Sequence, residues 1–198
     1  MTTTPTETSS AAPSASGSGP ASAGIQITVL EDQVTREALA ARALYTECAF
    51  ETDIPPNLLW GTVFSLVSEA DEPYRPARII DSNEPWVVDL YWFLGGQLSQ
   101  LICGQWSVKI FMESMGKDNL DLEIPPAGFH FPTNSSGFYH VRAYIPPNYV
   151  KVESNDGTPF EINVATALLT NAGRPSPVIG FCSVGTILFF TEGIEVYP

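Results

Sequence analysis

Residues able to do acid–base, nucleophilic or metal chemistry are few in this chain and widely scattered. There are two histidines, His130 and His140, and neither has a second histidine at metal-ligand spacing. His130 lies between Phe129 and Phe131 in a Gly/Pro/Asn/Ser-rich stretch, and His140 falls on the outward parity of a strand pattern. Both read as ordinary surface or loop residues. Cys48, Cys103 and Cys182 are far apart and form no CxxC pair, which describes buried thiols in a reducing compartment. The alternative is one bridge, Cys103 to Cys182, across a sandwich. Cys182 as a nucleophile would need a histidine and an electropositive setting. It sits instead in the apolar run Gly180-Phe-Cys-Ser-Val-Gly185 of an acidic protein, and Ser183 has no GxSxG elbow.

The carboxylates say little more. Asp118, Asp121 and Glu123, and Glu153 with Asp156, offer oxygen ligands for calcium, but neither group matches an EF-hand loop. The first group equally suits an acidic edge strand that discourages intermolecular pairing. Asp89 is different, because it lies between Val88 and Leu90 in a strongly apolar segment. There it must be paired, exposed or shifted in pKa. An enzyme built on such a scaffold would need Asp89 or Glu113 to converge with a second carboxylate in a cleft. No phosphate-binding glycine loop is present. No catalytic residue, metal ligand or cofactor site is assigned, and the expectation is a protein that is not an enzyme.

The aromatic residues carry the one binding signal. Tyr91, Phe93, Phe111, Tyr144 and Tyr149 fall opposite the predicted core parity or near strand ends. Aromatics on a sheet face anchor protein interfaces or stack on sugar rings. They equally serve as core if a second layer covers that face.

Composition bounds the rest. Charged residues are only 16% of the chain, against 44% hydrophobic residues, 17 Pro and 15 Gly, so a β-rich domain fits better than a helical one. The net charge of −13 repels nucleic acid and anionic membrane surfaces. The N-terminus has no basic region followed by an apolar run, and no stretch is long enough to span a bilayer. A cytoplasmic location is expected, with a protein partner or self-association, no nucleic acid and no membrane insertion.

The elements that must position these residues follow from periodicity. Residues 1–24, rich in Ser, Thr, Ala, Pro and Gly, are expected to be a disordered tail. A single domain is expected over 25–198, with a helix/strand subregion at 25–75 and core strands at 76–198. Residues 25–30 alternate as a strand. Val34, Ala38, Ala41, Tyr45 and Cys48 recur at helical spacing and predict a helix over 31–50. Strands are predicted over 58–68, 86–94, 105–113, 118–124, 139–145, 160–168 and 178–190. Glycines 180 and 185 are expected to mark bulges in the last of these. Three Ile-Pro-Pro triplets, at 54–56, 124–126 and 145–147, are expected to end strand pairing. The pattern predicts a mainly β fold: an antiparallel β-sandwich, immunoglobulin-like or jelly-roll-like, with one N-terminal helix. Its expected function is that of an interaction or structural subunit, or adaptor, of a larger assembly. A small-ligand or carbohydrate-binding module using exposed aromatics is the alternative.

Overall fold

The computed structural model describes residues 24–30, 48–116, 121–152 and 157–191, and these build two five-stranded sheets. In the first sheet the order is β1 (Gln26–Val29), β8 (Phe138–Ile145), β5 (Trp86–Gly95), β3 (Trp60–Glu69), β2 (Cys48–Ala49). In the second it is β4 (Ile79–Asp81), β10 (Pro175–Phe190), β9 (Thr158–Leu169), β6 (Gln105–Ser114), β7 (Leu122–Pro132). All pairings are antiparallel except β4 with β10, which is parallel. A single 3₁₀ turn, Ser99–Leu101, links β5 to β6.

Strand alternation decides which side chains fill the space between the sheets. Trp86, Val88, Leu90, Trp92 and Leu94 of β5 and Tyr139, Val141, Ala143 and Ile145 of β8 point inward. Trp106, Val108, Ile110 and Met112 of β6 and Phe160, Ile162, Val164 and Leu168 of β9 meet them. The centre is aromatic: Trp92 packs edge-on to Trp106, with ring centroids 5.3 Å apart, and stacks on Tyr139 at 5.1 Å. On β10 the inward parity runs Val178, Cys182, Val184 and then changes to Ile187 and Phe189. The change occurs at a bulge between Ser183 and Gly185, where Gly185 has φ 89. One extra residue flips the alternation, so the bulge keeps both halves of this long strand in the core.

Several sequence expectations need correction. The predicted helix over 31–50 falls largely on residues outside those described, but its last residues are not helical. Cys48 and Ala49 form β2, pairing with Val63 and Thr62. The edge of a sheet supplies hydrogen bonds that their helical periodicity does not reveal. The predicted disordered tail over 1–24 also lies outside the described residues, apart from Gly24. Ile124-Pro125-Pro126 does not end a strand, since β7 runs on to Pro132, but it does interrupt pairing: Ile124 pairs with Ile110 and the next pair is Phe129 with Val108, leaving 125–128 without a partner in β6. β7 is an edge strand, so the prolines break the ladder with β6 alone and the strand resumes pairing beyond them. Gly180 is not a bulge, since it pairs in register with Thr166. It makes room for a ring instead, because a Cβ there would lie 2.7 Å from the Phe50 ring.

Candidate functional site

The outer face of the first sheet carries a second, smaller apolar layer of Phe64, Leu66 and Tyr91, against which Tyr74 and Phe138 pack. Within it lies a closed group of ionisable side chains. Register places Asp89 directly across from Arg142, and Tyr91 directly across from His140. Arg142 donates from Nε to Asp89 Oδ1 at 2.8 Å and from Nη2 to Oδ2 at 2.9 Å, a two-pronged pair. His140 Nε2 donates to the same Oδ1 at 2.6 Å. The side chains of Asp89 and His140 are 0% exposed, and that of Arg142 is 22% exposed.

Aromatic rings wall off the group. Tyr91 stacks on the His140 imidazole at 4.0 Å and on Phe64 at 4.7 Å. The Arg142 guanidinium lies 4.6 Å from the centre of the Tyr74 ring. Tyr74 sits in the 70–78 loop with φ 73, a left-handed conformation unusual for a side chain of this size. That loop is pinned by the Ala70 N–H to Pro85 O and the Ala77 N–H to Val67 O. The strain is consistent with a loop held in place to lay Tyr74 over Arg142.

The chemistry available to this group is limited by how fully it is engaged. Asp89 accepts three charge-assisted or polar bonds, so neither oxygen is poised as a general base. Among the described residues no partner faces His140 Nδ1. Burial lowers the Arg142 guanidinium's affinity for its proton, but the hydrogen bonds and charge of Asp89 outweigh that and hold it above its ordinary value. Tyr91 is pushed well above the ordinary phenol range by burial first, and then by the Asp89 carboxylate. The arrangement is a neutralised ionic brace between β5 and β8.

The raised phenol sets an expected alkaline response. A folded-state acid raised above its unfolded value stabilises fully below the unfolded pKa, about 10 for tyrosine, and that contribution fades at higher pH. The melting temperature of the wild type should therefore fall above about pH 10. Tyr91→Phe keeps the ring stacks and removes the titrating hydroxyl, so its decline should be shallower. Scanning calorimetry from neutral to strongly alkaline pH compares the two, and equal slopes would refute the assignment.

The five aromatics singled out from sequence are not brought together. Tyr91 is buried, and Tyr144, half-buried, shares the outer face of the first sheet. Phe111 lies on the outer face of the other sheet, and Tyr149 packs against the main core. Phe93, 36% exposed, meets Trp60 at the end of β3 and β5. Sequence reasoning did not single out Trp60, which falls inside the strand predicted over 58–68 and is an exposed ring. His140, read as a surface residue, is buried and bonded to Asp89, because its face of the sheet is covered.

Trp60 is 46% exposed and tilts against Phe93 at 5.4 Å. Its indole rests on Gly95, where an added Cβ would lie 2.5 Å from the ring. Leu101, 72% exposed, follows on the 3₁₀ turn, which is tied to the entry of β3 by the Leu98 N–H to Leu58 O. A depression of about 500 Å³ lies elsewhere, beside the 70–78 loop, where Glu72 and Arg75 pair in solvent. Cys103 is an exposed thiol and Cys182 a buried one, so the bridge considered between them is not formed. Among the described residues no three His, Cys, Asp or Glu side chains gather as around a metal ion, and no helix is long and apolar enough to cross a membrane. In sequence, the chain matches no protein-family model and no curated protein.

Proposed function

We propose that this chain is a non-enzymatic, immunoglobulin-like β-sandwich that works by surface contact, as a subunit or adaptor of a protein assembly. The strand order supports the immunoglobulin-like reading. β3 pairs with β5 in one sheet, and the following β4 joins the other sheet beside β10, like a first strand that switches sheets. A buried Trp106 on the strand that opens the second sheet's β6–β7 hairpin fits the same architecture.

The observation that carries the contact role is the exposed Trp60–Phe93 pair seated on Gly95. An indole already packed on Phe93 and Gly95 has less side-chain freedom to lose on binding, which favours an interface hot spot. The partner expected is a protein offering an apolar slot with a basic rim, because this chain carries a net charge of −13. The closed Asp89 brace supports a non-catalytic reading, since both oxygens of its carboxylate are engaged rather than presented.

The test compares wild type with the double variant Trp60→Ser, Phe93→Ser. Quantitative affinity capture should retain a defined protein with the wild type and lose it with the variant, by tenfold or more. Sedimentation on both proteins covers self-association. A wild type that stays monomeric and captures nothing sensitive to these two residues defeats the proposal. A sugar-binding platform would instead show tryptophan fluorescence changes with a glycan panel.

A further inference from the structure

We propose that Cys48 and Cys182 are a peroxide-sensitive thiol pair whose oxidation to a disulfide locks the seam between the two sheets. Immediately after β2 the chain crosses from the first sheet to the second. Glu51 exchanges two backbone hydrogen bonds with Ile179 of β10, its N–H to Ile179 O at 2.8 Å and its carbonyl from the Ile179 N–H at 3.0 Å. Counting three residues back from Glu51 and three forward from Ile179 sets Cys48 opposite Cys182. Glu51 and Ile179 form an isolated bridge, and the Phe50 ring lying against Gly180 agrees with this extension of its register. Cys48 shares its parity with Phe50, and Cys182 shares its parity with Gly180, so both thiols face the same side. Cys48 packs against the core cluster that contains Cys182, and the two thiols are near enough to act on one another.

Facing residues of an antiparallel pair have Cα atoms about 4.5–5.5 Å apart, inside the span a disulfide bridges. The two sulfurs have different exposures, which orders the steps. Cys182 is 1% exposed, and burial, reinforced by the neighbouring Cys48, pushes its thiol up to about 12. Cys48 is half-buried at the sheet edge and is the sulfur a small oxidant reaches. The Cys48 thiolate attacks hydrogen peroxide, the O–O bond breaks, and sulfenic acid forms with release of hydroxide, which takes up the thiol's proton as water. The Cys182 sulfur then displaces that sulfenic oxygen, which leaves as a second water carrying the Cys182 proton. Two thiols and one peroxide give one disulfide and two waters, the two electrons passing from sulfur to oxygen.

The experiment treats the full chain with hydrogen peroxide, alkylates the remaining thiols and maps peptides without reduction. Two of the three thiols should disappear, with Cys48 linked to Cys182 and Cys103 recovered alkylated. In Cys182→Ser, a sulfenic-acid trap should instead label Cys48. Oxidation confined to Cys103, or a cross-link that includes Cys103, would overturn the proposal. The wild-type map alone decides the matter if the variant does not fold.

Discussion

Asp89→Ala is expected to destabilise the fold by about 3–5 kcal/mol, the range for removing one partner of a buried ion pair. The substitution leaves the Arg142 guanidinium and the His140 imidazole beside apolar rings with no carboxylate to receive their protons. The loss comes mainly from those stranded donors, and that makes a second variant informative. Replacing the whole group (Asp89→Leu, His140→Leu, Arg142→Met) removes the stranded groups together, which in other buried networks is close to neutral. Urea denaturation should therefore find the triple variant more stable than Asp89→Ala alone. Triple and single losses that simply add would show that these residues act independently and that the brace is no unit. For a domain whose total stability is of the usual order, about 5–15 kcal/mol, the single change removes a large share.

Asp89 also shows what alternation can and cannot reveal. Its conflict with Val88 and Leu90 is visible in the sequence, and so is the need for a partner. The partners lie 51 and 53 residues away, on a strand that becomes a neighbour only through the sheet order. Period-two patterning separates two faces but does not state which of them meets water. His140 and Arg142 share the outward parity of β8, and one is fully buried while the other is partly so. The inward faces of β6 and β9 were legible because large apolar residues alternate there with mostly smaller or polar ones, whereas β5 is apolar on both parities and is covered on both faces.

Where reading failed, a local rule met a tertiary exception. Pro125 and Pro126 argue against strand in general, yet an edge position tolerates them. Helical spacing ending at Cys48 overlaps a segment that the sheet edge recruits. Gly180 and Gly185 look alike in sequence, but one seats the Phe50 ring and the other supplies a positive φ at a bulge. Trp60 and Trp106 are equally apolar letters, and only the packing separates surface contact from core.

That separation yields the second large effect. Trp106→Ala should cost about 3–5 kcal/mol, as large-to-small changes of buried aromatics do. Its indole is 0% exposed and touches Trp92, Tyr139 and Phe50 at centroid distances of 5.3, 5.3 and 5.9 Å. Removing it empties the point where β5, β6 and β8 meet and where the segment after β2 closes over them. Trp106→Phe should cost less, because a ring remains and because the buried indole N–H has no acceptor among the described residues. Trp60→Ala should shift stability by no more than about 0.5 kcal/mol, as surface changes do. Denaturant melts of the three variants test the ordering. A Trp60→Ala loss as large as that of Trp106→Ala would make Trp60 part of the fold's support and remove it as the contact residue of the proposed interface.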